Sequence, residues 1–155
     1  QVETIRNALQ ESGCQPQWLE LEVTEGFIMT ETRDSIGALA QLREMGIRLA
    51  IDDFGTGYSS LSYLKRLPVH RLKIDRSFVQ EIDEANDDAA IVEAIISLGR
   101  SLHLEITAEG VETPYQEELL KRLGCDQGQG YLYSKPVPAK EIENLVIRQN
   151  RRRSA

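Results

Sequence analysis

Acidic residues and one lysine punctuate the ends of the short apolar runs in this sequence. Glu22 and Glu25 lie at the end of Leu19–Val23, Asp52 and Asp53 follow Ile51, Lys73 and Asp75 flank Ile74, Glu109 and Glu112 follow Ala108, and Gln129 precedes Gly130. Grouped carboxylates repel one another unless a cation neutralises them, and hard oxygen ligands suit Mg²⁺ or Mn²⁺. The tandem Asp52-Asp53 is the most informative pair. Neighbours on a strand point to opposite faces, so both reach one centre only where the strand has ended, as Gly55 and Gly57 just beyond suggest. Two such carboxylates can ligate two adjacent metals, the arrangement that clamps the attacking and leaving oxygens of phosphoryl transfer. Lys73, between Leu72 and Ile74, is costly to bury unless carboxylate or phosphate compensates it. Asp75 and Glu112 are explained equally well as helix caps or loop anchors.

The elements that must position these groups follow from periodicity. Strands are predicted at Leu19–Val23, Arg48–Asp52, Arg71–Asp75, Leu104–Ala108 and Gly130–Tyr133, and helices at Val2–Leu9, Ser35–Met45, Ser60–Leu67, Asp88–Leu102, Pro114–Leu123 and Ala139–Ile147. Thr113 suits an N-cap, Pro114 an N1 position, and Gly46 and Gly124 the C′ positions that end helices. Strict alternation implies parallel strands with right-handed crossovers, in a doubly wound sheet or a β/α barrel. Thr24-Glu25-Gly26-Phe27 carries no glycine-rich phosphate fingerprint, and the unusual residues gather at strand C-terminal ends, where barrel active sites lie. The expected fold is therefore α/β, a partial TIM-type barrel of about five strand-helix units, its N-terminal strands missing because the full barrel needs eight. Five strands alone would leave two sheet edges and much of the inner layer uncovered.

Composition narrows the function classes. The chain has 155 residues, 41% hydrophobic and 28% charged, enough for one domain with a core. A net charge of −7 argues against gripping a nucleic-acid backbone, so DNA is not an expected partner. The basic run Arg151–Arg153 reads as a solvated tail, with the domain over 1–148 and the tail over 149–155. Cys14 and Cys125 lack metal-ligand spacing, and His70 and His103 stand alone. No apolar stretch approaches the roughly 20 residues that cross a bilayer, so a cytoplasmic domain is expected, its parent membrane-anchored only through other segments. Phe54, Tyr58, Tyr131 and Tyr133 read mainly as core packing, with base stacking as the alternative.

The motifs Leu21–Glu25, Ile51–Gly57, Leu72–Asp75, Ala108–Glu112 and Gln129–Tyr131, in this order from about Glu20 onward, resemble the EAL family of cyclic di-GMP phosphodiesterases. The resemblance implies a β/α barrel opening cyclic di-GMP to linear pGpG with two Mg²⁺ or Mn²⁺ ions. It makes Glu22, Asp52, Asp53 and Glu109 metal ligands, with Asp52 and Asp53 between the ions. Lys73 would hold the attacking water or the phosphate, and Glu109 would alternatively activate water. Gln129 and Glu112 would serve the water or substrate network, and Glu25 would brace the loop from Asp53 to Ser59. A homodimer of the parent protein and an upstream sensory or GGDEF-type domain belong to the same expectation. The namesake Glu-Ala-Leu and an asparagine ligand belong on earlier strands absent from this sequence, and Glu93-Ala94-Ile95 is a decoy inside a helical pattern. The chain is thus expected to be the C-terminal two-thirds of the domain, inactive or nearly so alone.

Two other readings stay open at this point. One is an inactive receptor that binds cyclic di-GMP or a protein partner. The other, from the residues alone, is a metal-dependent barrel that abstracts protons with Lys73 as base.

Overall fold

The computed structural model of the chain describes residues 2–24, 33–57, 61–83 and 89–153. The elements are α1 (Val2–Ser12), a 3₁₀ turn (Pro16–Trp18), β1 (Glu20–Thr24), α2 (Arg33–Glu44), β2 (Arg48–Phe54), α3 (Leu61–Leu64), β3 (Arg71–Ile74), α4 (Arg76–Gln80), α5 (Ala90–Ser101), β4 (Glu105–Glu109), α6 (Pro114–Leu123), β5 (Gln127–Gln129) and α7 (Ala139–Arg153). All five strands are parallel and stand in the order β1-β2-β3-β4-β5. A doubly wound sheet would reverse its order at a switch point. The unbroken order, with helices between successive strands, is that of a partial β/α barrel.

Period-two alternation divides the sheet into an apolar and a polar face. Leu49, Ile51, Leu72, Ile74 and Ile106 are 0% exposed and pack with helix residues such as Leu39, Leu42, Val92 and Ile96. Each such burial is worth about 1.5–3 kcal/mol, so this face holds the arc together. The opposite face carries Glu22, Asp52, Lys73, Thr107 and Glu109. Thr113 and Gln116 form a capping box at the start of α6, and Pro114 occupies its first turn. Gly46 (φ 91°) and Gly124 (φ 86°) end α2 and α6 in the left-handed conformation.

Four differences from the sequence reading matter. The fifth strand is Gln127–Gln129, and Tyr131–Tyr133 form a turn in which the N–H groups of Tyr133 and Ser134 donate to the Gly130 carbonyl. β4 ends at Glu109, so the ladder has no partner for the aromatic run despite its β propensity. Tyr131 and Tyr133 are accordingly 59% and 37% exposed rather than core residues, while Phe54 is in the core at 6%; Tyr58 lies outside the described residues. An additional short helix, α4, follows β3 directly. The last helix continues through 148 to Arg153, so the basic run extends it. Glu93-Ala94-Ile95 does lie within a helix, α5. Among the described residues no helix is long and apolar enough to cross a membrane.

Candidate active site at the strand C-terminal ends

β3 is buried on both faces at Lys73, which is 6% exposed and flanked by Leu72 and Ile74 at 0%. Its side chain emerges on the polar face, where Nζ lies 2.5 Å from Glu22 Oε1, 2.9 Å from Asp52 Oδ1 and 2.7 Å from Glu109 Oε1. One ammonium thus joins the ends of β1, β2 and β4. Burial is the largest single influence and opposes its charge, yet hydrogen bonds with Glu109, Glu22 and Asp52 together hold its pKa above the usual lysine range. The expected compensation of a buried lysine by carboxylates is what the structure contains.

Asp52 and Asp53 converge by a route different from the expected one. β2 does not stop before them; it runs through Phe54, and its register with β3 shifts between Ile51 and Phe54. Asp53 occupies the left-handed region at φ 54°, which aspartate tolerates better than most residues. This bulge inside the strand cancels the alternation that would send the pair to opposite faces. One oxygen each of Asp52, Asp53 and Glu109 then lie within 4.8 Å of one another, the one such acidic group among the described residues. Burial, followed by the charges of Asp52 and Asp75, pushes the Asp53 carboxyl above its ordinary pKa.

These residues fit a hard divalent cation. The donors are carboxylate oxygens, and Asp52 Oδ1, buried and met among the described residues only by the Lys73 ammonium at 2.9 Å, keeps a lone pair to spare. A cation would also relieve the repulsion felt by Asp53.

The remaining expected site residues are more dispersed. Gln129 pairs with Glu109 in the β4–β5 register and is exposed, outside the acidic group. Glu112 is exposed beyond β4, where its Oε1 accepts from Gln80 Nε2 at 3.5 Å. Asp75 N-caps α4, accepting from the Ser77 N–H at 2.9 Å and from the Ser77 hydroxyl. Although burial works against its charge, these bonds hold its carboxyl below the ordinary range. Glu25 lies outside the described residues. His70 serves the fold, since its Nδ1 accepts from the Leu49 N–H at 3.2 Å, and burial lowers its pKa.

A second charged group was not anticipated. Glu20, Arg48, Arg71 and Glu105 begin β1, β2, β3 and β4, at the opposite end of the polar face. Arg48 lies 3.4 Å from Glu20 and 2.6 Å from Glu105, and Arg71 lies 2.7 Å from each. The available signal was the matched charges opening four successive strands. These residues close the N-terminal end of the arc, which in barrels serves stability rather than chemistry.

The bifunctional diguanylate cyclase/cyclic di-GMP phosphodiesterase MucR of Pseudomonas aeruginosa is 54% identical over 141 residues, and the cyclic di-GMP phosphodiesterase NbdA of the same organism is 48% identical over 145. The matches cover 91% and 94% of this chain but 21% and 18% of those proteins. The solved MucR phosphodiesterase in complex with c-di-GMP superposes with a TM-score of 0.86 over 91% of this chain and 57% of that one. A manganese/cy-diGMP complex of Klebsiella pneumoniae BlrP1, 36% identical, gives 0.78 over 87% of this chain and 34% of its own. With the EAL domain profile matching residues 1–136, the chain belongs to the EAL domain family.

Proposed function

We propose that the protein carrying this chain hydrolyses cyclic di-GMP to linear pGpG with Mg²⁺ or Mn²⁺ at the strand C-terminal ends. The observation that carries the reading is the convergence of Asp52, Asp53 and Glu109 beside a lysine that also pairs with Glu22. Glu22, Asp52, Asp53 and Glu109 would hold two cations, which when bound supply Lewis acidity toward the phosphoryl group and screen its charge. Lys73 contributes a fixed positive charge where charge develops on the phosphoryl oxygens. Glu109, where it serves as the water-activating group rather than a ligand, would take the proton of the attacking water; the new P–O bond forms as the P–O bond to the ribose oxygen breaks, and that oxygen takes a proton from solvent. Gln129, beside Glu109, and Glu112 would orient water or substrate at the rim, and Glu25 would brace the loop after Asp53. The names of MucR and NbdA support the substrate, and the manganese complex of BlrP1 supports the metal class.

Three carboxylates around Nζ keep Lys73 an ammonium, whereas a general base needs a pKa lowered toward the working pH. Proton abstraction by Lys73 therefore loses its base. The test is turnover of cyclic di-GMP by the full-length protein with Mn²⁺, with pGpG resolved by chromatography. Lys73→Met and Asp52→Asn should each lower kcat by about 10²–10³. Binding of the nucleotide by the wild-type protein without turnover would replace this reading with the receptor.

A further inference from the structure

Two arms of the chain carry the site's upper rim: Lys73 to Asp75 leading into α4, and Glu109 to Thr113 leading into α6. They are 34 residues or more apart in sequence, and the Lys73–Glu109 contact of 2.7 Å depends on their spacing. Between them lies Gln116, a polar side chain 5% exposed.

The Gln116 amide is used at both ends. Its Oε1 accepts from the Glu112 N–H at 2.8 Å and the Thr113 N–H at 3.1 Å, fixing the Glu109–Thr113 arm to the first turn of α6. Its Nε2 donates at 3.1 Å to the buried carbonyl of Val79 in the last turn of α4, an oxygen that also accepts from the Ile82 N–H at 3.2 Å. A capping box alone explains only the bonds at the α6 start; the bond to Val79, 37 residues away, has nothing to do with capping α6. Two neighbours agree with the close seating. A Cβ on Gly110, at φ 72°, would stand 2.7 Å from the Cβ of Arg76, the first residue of α4. Val111 also donates to the Gln129 carbonyl at 3.0 Å, so the arm that Gln116 fixes sets Gln129 as well.

We propose that Gln116 is a positioning residue for the site: its amide locks the Glu109 arm to the Lys73 arm, fixing Glu109 relative to Lys73 and Gln129. The assignment rests on the phosphodiesterase reading for its kinetic consequence, but not for its effect on metal affinity. In the full-length protein, Gln116→Glu keeps the acceptor for the Glu112 and Thr113 N–H groups and turns an oxygen toward the Val79 carbonyl. Gln116→Met keeps the volume and removes both functions. Each folded variant should lose roughly 10–100-fold in kcat, as supporting contacts around metal ligands do, with KM within about twofold, and should bind Mn²⁺ roughly tenfold more weakly by calorimetry without nucleotide. A merely structural residue would lower the melting temperature and leave kcat per folded molecule and Mn²⁺ affinity at wild-type values, and that result overturns the assignment. Failure of both variants to fold overturns it too, since stability would then be the residue's role. Should the wild-type protein bind Mn²⁺ without turning over cyclic di-GMP, the phosphodiesterase reading fails, while the Mn²⁺ affinities of the variants still decide for or against Gln116.

Discussion

At the scale of residues, the site is a balance between one ammonium and a surplus of carboxylates. Lys73 lies within 2.9 Å of Glu22, Asp52 and Glu109, and Asp53 adds a further acid whose pKa is pushed up by burial and by Asp52. Removing the ammonium strands its partners; breaking a buried ion pair costs about 3–5 kcal/mol, and the low end applies because Glu22 is 43% exposed. Lys73→Met should therefore unfold at a lower urea midpoint, and an unchanged midpoint would show that the three contacts do not hold in solution. A divalent cation acts in the opposite sense. At 100 times its Kd, Mn²⁺ should stabilise the fold by about 2.7 kcal/mol, or roughly 5–10 °C for a chain of this size. EDTA should reverse that shift and Asp52→Asn should abolish most of it. A Mn²⁺ response undiminished in Asp52→Asn would place the cation elsewhere.

At the scale of elements, glycine contacts decide how closely the site's arms approach. A Cβ on Gly130 would lie 2.1 Å from the Val111 carbonyl oxygen and 2.3 Å from its nitrogen, both backbone atoms that cannot swing away. Gly130→Ala should cost about 1–3 kcal/mol, as overpacking does, and lower kcat by displacing Gln129 from Glu109. Wild-type melting and turnover in this variant would show that β5 moves freely. The same neighbourhood shows why the sequence was legible only in part. β1 to β4 could be read within a residue or two because each pairs an apolar face with strand-forming residues, and Gly46, Gly124, Thr113 and Pro114 punctuate as expected. β5 could not: Tyr131–Tyr133 has the stronger β propensity, but pairing stops where β4 ends. α4 has five residues, too few to show a helical period. The acids of the site were legible by type and motif, whereas the bulge that joins Asp52 to Asp53 depends on one left-handed backbone angle that no residue pattern encodes.

At the scale of the whole molecule, charge is separated along the polar face into an acidic end, the proposed cation site, and a neutral end of paired charges. Glu20, Arg48, Arg71 and Glu105 pair off their charges across β1 to β4, and the hydrogen bonds from Arg48 first, then Arg71, hold the Glu105 carboxyl below its ordinary pKa. A carboxyl with a depressed pKa stabilises the fold above its unfolded value, about 4.3, and that contribution is lost as pH falls further. His70, behind the same end, keeps its Nδ1 free to accept from Leu49 and resists protonation because it is buried. Its contribution is present above the unfolded value of about 6.5 and is lost as pH falls through its lower folded value. Asp53 acts in the reverse sense, since its raised pKa favours the folded protein as protons bind, so the measurement belongs in saturating Mn²⁺. Melting temperature against pH should then fall in two stages on the acid side, one below about 6.5 and one below about 4.3. His70→Gln should erase the upper stage and leave the lower. Glu105→Gln should shrink the lower stage, which the depressed Asp75 carboxyl shares, and reduce stability at pH 7 by no more than about 1 kcal/mol, because Glu105 is 45% exposed and its pairing is screened. An upper stage that survives in His70→Gln would mean that acid first attacks the carboxylate end, and that the N-terminal end of the arc is not what limits the fold.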